Sequence, residues 1–128
     1  MTVALDTFWA FDAAGDLQRI EIRRLDETLG ACLEGLSSPR LFMKIDTQGF
    51  DLAVIEGAGA ALDKMLALQT EVALKPIYAD MQTTLCNVIP RLQARGFGVS
   101  GLFPVSRNKT DGLQIIELDC VMTRNIAA

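Results

Sequence analysis

The hydrophobic positions of this chain change period several times, and each change marks an element. Over residues 17–25, LQRIEIRRL, they alternate: Ile20 and Ile22 fall on one face and Arg19, Glu21 and Arg23 on the other. That is the pattern of a half-exposed strand. The preceding VALDTFWAF also alternates in part, through Val3, Leu5, Thr7, Trp9 and Phe11. DAAGD between the two is turn chemistry, so an N-terminal hairpin is expected. Asp26 then opens a helix, ETLGACLEGL, with Leu29, Leu33 and Leu36 on one face. The proline of SSPR stops it, because proline cannot continue the hydrogen-bond ladder.

LFMKI, residues 41–45, hardly alternates, which predicts a central parallel strand covered on both faces. From Phe50 the apolar residues Phe50, Val54, Ala58, Ala61, Leu62 and Met65 recur at helical spacing. Gly57 and Gly59 are expected to divide this run into a helix and a shorter turn. ALQTEVAL reads as a mostly buried strand carrying Glu71, and KPIYAD as a loop. MQTTLCNVIPRLQARG places Met81, Leu85, Val88, Ile89 and Leu92 on one helical stripe, with Gly96 as the terminator. Pro90 inside that stripe predicts a kink or a late start near Asn87. FGVSGLFPV and LQIIELDCVMTR are two further strands joined by the polar SRNKTDG. The order is βαβαβαββ, parallel crossovers followed by a closing hairpin, with no repeat, linker or low-complexity tract.

Composition narrows what such a chain can do. Its 128 residues are one domain's worth, half of them hydrophobic and 22% charged, as in globular proteins. A net charge of −4 argues against nucleic acid or an anionic membrane as partner. Arg23 and Arg24 fall on opposite faces of a strand and make no basic patch. No apolar run approaches the roughly 20 residues that span a bilayer. The start, MTVALDTFWAFD, lacks the basic region and cleavage site of a signal peptide, so a soluble, cytoplasmic protein is expected. Cys32, Cys86 and Cys120 are widely spaced without a C-x-x-C pair and read as buried free thiols. The chain has no histidine, which removes Ser-His-Asp and Cys-His nucleophiles and nearly all zinc sites. No metal site is expected, and acid-base work falls to carboxylates, lysines, Tyr78 or water.

Five blocks, RRLDETLG, LFMKIDTQGFDLAVIEGA, TEVALKPIY, LQARGF and LDCVMTR, occur in an order that resembles the FkbM family of S-adenosylmethionine-dependent methyltransferases. The resemblance runs from about Ile20 to Arg124. It implies an α/β fold: a mostly parallel, Rossmann-like methyltransferase sheet ending in an antiparallel β-hairpin, truncated on its N-terminal side near the third strand. It also implies an O-methyltransferase acting on a hydroxyl of a sugar, lipid or secondary metabolite. The departure is equally plain. In such enzymes a glycine-rich turn after the first strand cradles the cofactor, and no G-x-G turn follows a strand here. EGAGAAL falls at the end of a helix instead.

By this resemblance Asp46, at a strand's carboxyl end, orients an acceptor hydroxyl or takes its proton. Asp46 can equally cap the helix expected to begin near Gln48 or Gly49. Lys44 shares its strand face and is expected to pair internally with Asp46 or Glu71, since a buried lysine must be paired; direct substrate contact is the other reading. Glu71 is either paired or at the site. Gln48 and Thr47 line the pocket mouth or form an exposed turn. Tyr78 stacks on substrate or anchors its loop. Asp26 is the one candidate for cofactor contact, against duty as a helix N-cap.

A second reading is a non-catalytic relative that serves as a binding or assembly module. The strand that normally pairs with LFMKI in this fold has no counterpart here, and an uncovered apolar edge is an aggregation hazard. The N-terminal hairpin or a second copy of the chain is expected to cover it, giving a rearranged sheet or a homodimer.

Overall fold

In the computed structural model the described residues are 7–124, with side chains from residue 11 onward. Val3 and Leu5 lie outside them. Strands β1 (Thr7–Phe11) and β2 (Leu17–Glu21) form the expected antiparallel hairpin. Asp12 closes its turn by accepting the amides of Ala14 and Asp16, each at 2.9 Å. The hairpin is a two-stranded sheet of its own and does not join the main one. β2 is exposed throughout, not on one face only: Ile20 is 46% accessible.

Helix α1 (Leu25–Cys32) is shorter than its periodicity, so Leu29 is buried, Leu33 half-buried and Leu36 exposed. β3 (Leu41–Ile45) leads into α2 (Asp51–Ala58), and a 3₁₀ segment, Gly59–Lys64, brings the chain to β4 (Met65–Ala73). Gly57 stays inside α2, and the break falls at Gly59 alone. α3 (Leu85–Ala94) begins after Thr84, two residues before Asn87 and four after Met81, which remains in the loop. Pro90 sits inside it on the exposed side. Gly96, at φ +86°, ends the segment in the left-handed geometry expected of a terminator. β5 (Phe97–Arg107) and β6 (Ile115–Arg124) close the fold as an antiparallel hairpin.

The main sheet has the order β3-β4-β6-β5. It is mixed, not mostly parallel: β3 and β4 run parallel, while β4–β6 and β6–β5 are antiparallel. The short connection from Arg107 to Ile115 permits only an antiparallel return, and β6 enters between β4 and β5. The core lies on one side of this sheet. Leu68, Val72, Leu118, Cys120 and Met122 meet Leu52, Ile55 and Ala58 of α2 and Val88 and Leu92 of α3.

No helix lies on the other side among the described residues. β3 is therefore neither central nor covered on both faces. Leu41, Met43 and Ile45 turn inward, while Phe42 stays 57% accessible on the open face. An apolar residue on the solvent side made an edge strand look like a buried one. Of the three cysteines only Cys120 is buried; Cys32 and Cys86 are exposed on their helices. Burial pushes the Cys120 thiol up from its ordinary pKa.

Arg124 locks the hairpin to the rest. Its guanidinium donates to the carbonyls of Met65 (3.2 Å), Arg95 (2.7 Å) and Leu62 (2.9 Å) and lies 4.4 Å from the Phe97 ring centroid.

Candidate functional site

The carboxyl ends of the parallel pair β3 and β4 are where ligands bind in open α/β sheets. From Ile45 the chain turns through Asp46, Thr47, Gln48 and Gly49 before α2 begins. Gln48 (φ +53°) and Gly49 (φ +98°) are both left-handed, and at Gln48 this conformation is strained for a residue with a Cβ. A Cβ at Gly49 would stand 3.6 Å from Tyr78 Cδ2, an ordinary contact, so it is the backbone angle and not the space that calls for glycine here.

Asp51 holds this turn. Its carboxylate, fully buried, accepts the Thr47 amide at 2.9 Å and the Thr47 hydroxyl through Oδ1. Oδ2 accepts the Thr70 hydroxyl at 2.8 Å and the Glu71 amide at 3.1 Å. The buried charge thus meets four donors and the amino end of α2. α2 has no side-chain cap of its own, since its N-cap is Phe50. Thr83 supplies one from the loop before α3: its hydroxyl donates to the Gly49 carbonyl at 2.7 Å and accepts the Leu52 amide at 3.2 Å. Asp46 is not the cap. It is exposed, and among the described residues its one side-chain hydrogen bond is from Gln48 Nε2 at 3.5 Å.

The turn, the first residues of α2 and the loop 78–83 enclose an open cleft of about 610 Å³. Gln48, Phe50, Tyr78, Met81 and Gln82 line it, and Arg91 faces Glu56 at 3.8 Å along its wall. The volume is in the range of small-molecule sites. Thr83→Val keeps the shape but leaves the Gly49 carbonyl and Leu52 amide unpaired. It is expected to cost about 1.5 kcal/mol, and Thr83→Ser far less. Urea denaturation of the two variants checks this; equal stabilities would show that the Thr83 hydroxyl is not the latch.

A second feature lies on the open face of the sheet. Glu71 of β4 stands opposite Asp119 of β6, and Glu117 lies two pairs further along, opposite Ala73 and on the same face. Glu71 is pushed up to about 7, first by burial and then by the repulsion of Glu117, Asp46 and Asp119. Glu117 in turn accepts the Ser106 hydroxyl at 2.8 Å. Glu71 is therefore not paired with a cation. Lys44 is exposed on the same face and makes no ion pair among the described residues, contrary to the expected internal pair. The edge position explains this: Lys44 reaches water and needs no partner.

The expected site residues thus divide into groups. Gln48 and Tyr78 line the cleft; Asp46, Lys44 and Glu71 gather on the open face beside it. Thr47 is engaged by Asp51. Asp26 stands apart from all of them. It ends no strand of the main sheet and is not the N-cap of α1, which is Arg24. Arg24 grips it at 3.0 and 2.6 Å, holding its carboxyl below the ordinary range. Its carboxylate packs on Gly59, at the far end of α2 from the cleft. The described residues contain no group of His, Cys, Asp and Glu that could hold a metal ion.

Asp51 and Thr83 are the residues that sequence reasoning passed over. A signal for Asp51 was present. It lies four and seven residues before Ile55 and Ala58, on the stripe that α2 buries, whereas Phe50, the first apolar residue of the helical spacing, is 69% accessible. Nothing local marked Thr83. Comparison of the chain with family models, with curated proteins and with solved structures finds no match. No helix of the described residues is long and apolar enough to cross a membrane.

Proposed function

We propose that this chain is the acceptor side of an O-methyltransferase domain of the FkbM type, acting on a hydroxyl of a sugar, lipid or secondary metabolite. One observation carries the reading: the K-I-D-T-Q-G turn ends a parallel strand and opens on a cleft large enough for such an acceptor. A parallel pair followed by a closing hairpin also accords with a Rossmann-like methyltransferase sheet. Gln48 and Tyr78 offer the acceptor an amide and a phenol. Asp46 does not line the cleft but stands beside it, within reach of the lining residue Gln48, as a carboxylate that can orient a hydroxyl. Glu71, at about 7, can gain or lose a proton near neutral pH. Positioning is most of what methyl transfer needs.

S-adenosylmethionine itself does not fit the described residues. Asp26, the one cofactor candidate, is held by Arg24 at the wrong end of α2, and no glycine-rich turn follows a strand. No step of the reaction is therefore assigned to a cofactor held by these residues. Titration calorimetry decides how far the proposal extends. Heat from S-adenosylmethionine binding supports catalysis by this chain, and silence at millimolar cofactor removes it.

The second reading, a non-catalytic binding or assembly module, is favoured by one observation of its own. The outer edge of β3 is unpaired among the described residues, because β1 and β2 pair only with each other.

A further inference from the structure

The outer edge of β3, unpaired among the described residues, is complementary to itself. Exposure alternates along it: Arg40, Phe42, Lys44 and Asp46 are exposed, while Leu41, Met43 and Ile45 are half-buried or buried. Phe42 and Lys44 therefore share the open face, and Arg40 and Asp46, which flank the strand, continue the same alternation. Arg40, Lys44 and Asp46 make no ion pair among the described residues, leaving two cations and an anion unmatched along one edge.

We propose that β3 pairs with β3 of a second copy of this chain, antiparallel, with Met43 on the twofold axis. This register uses all five residues of the strand. It sets Arg40 opposite the partner's Asp46 and Phe42 opposite the partner's Lys44, each twice by symmetry. The first is an ion pair; the second lays a lysine stem and charge on an aromatic ring. The neighbouring registers are disfavoured. Centring on Phe42 sets Arg40 against the partner's Lys44, and centring on Lys44 sets that residue against its own copy. A slip by a single residue pairs the open face with the core face.

The opposite edge of the sheet is unsuited to such pairing. β5 carries Pro104 and three shifts of register, devices that block strand addition. The two copies would form one eight-stranded sheet, and the open acidic face would run across both. This inference deepens the assembly reading and stands apart from cofactor binding, so sedimentation and the S-adenosylmethionine titration fail separately.

The test is sedimentation equilibrium of the full chain at low salt, from about 10 μM to about 1 mM, because a strand edge alone buries less than a standard interface. A monomer–dimer equilibrium is expected. Asp46→Arg or Arg40→Asp alone sets like charges opposite each other at both ends of the strand and is expected to weaken the dimer about tenfold. The double variant Arg40→Asp/Asp46→Arg exchanges the charges and is expected to restore it. Both positions, Arg40 and Asp46, are exposed, and circular dichroism checks that each variant is folded. A chain that stays monomeric throughout, or a double variant as weak as the single ones, overturns the proposal.

Discussion

Asp51→Asn is expected to lower stability by about 3 kcal/mol, the largest effect of any single polar change in this protein. The carboxylate is acceptor-only and meets four donors, two hydroxyls and two backbone amides. The hydroxyls of Thr47 and Thr70 can rotate to accept from a side-chain amide. The backbone amides of Thr47 and Glu71 cannot. Whichever way an asparagine turns, its NH₂ faces one of them, leaving a buried donor unpaired. The melting temperature should fall by on the order of 10 °C. Asp46→Asn, at an exposed carboxylate five residues earlier, should change stability by less than about 0.5 kcal/mol. Amide hydrogen exchange gives the local readout, with faster exchange expected at Thr47 and Glu71. A loss below about 1 kcal/mol would show that Asp51 is not what holds the strand-end turn.

Glu71→Gln is expected to remove a pH dependence. The carboxyl of Glu71 rises from 4.5 to about 7 on folding, through burial and the charges of Glu117, Asp46 and Asp119. Its folded pKa lies above its unfolded one, so the folded state binds the extra proton between those values. Stability from this group is complete below about pH 4.5 and is lost as pH rises through about 7. At 1.36 kcal/mol per unit the full shift sets a ceiling near 3 kcal/mol. Glu71 is only half-buried and solvent screens its neighbours, so about 2 kcal/mol is the expected size. Chemical denaturation from pH 4 to pH 8 should show the wild type weakening across this window. The variant should be flatter and more stable than wild type at pH 8. Parallel profiles for the two proteins would rule out Glu71 as the source. Lys44, and Arg40 just before the strand, are exposed and make no ion pair with these carboxylates among the described residues, so they do not offset the repulsion.

The elements were legible because each depends on local spacing. The turn DAAGD, the helix terminator Gly96 and the short polar link between β5 and β6 act over a few residues, and all three are found where their chemistry places them. The candidate site was legible in part. KIDTQGF does form the strand end and turn, and Tyr78 does reach it from the following loop. The roles of its members were not. Asp46 precedes a helix and so has the chemistry of a cap, but the cap comes from Thr83, 34 residues away from the carbonyl it holds. The apolar run LFMKI reads as buried on both sides, which would require a partner for Lys44, whereas the edge position leaves it exposed.

Taken alone, the sequence determined the order of strands and helices, the closing hairpin and the absence of histidine chemistry, since these follow from period, turn residues and composition. Only the tertiary structure decided that β6 lies between β4 and β5, that β3 is an edge, and that one face of the sheet is open. It also decided that Asp51 binds Thr70 and Glu71, and that Glu71 stands among carboxylates. The physical reason is the same in each case. Strand neighbours and buried hydrogen-bond partners are chosen by which surfaces meet in space, and no spacing within one segment encodes a contact with another.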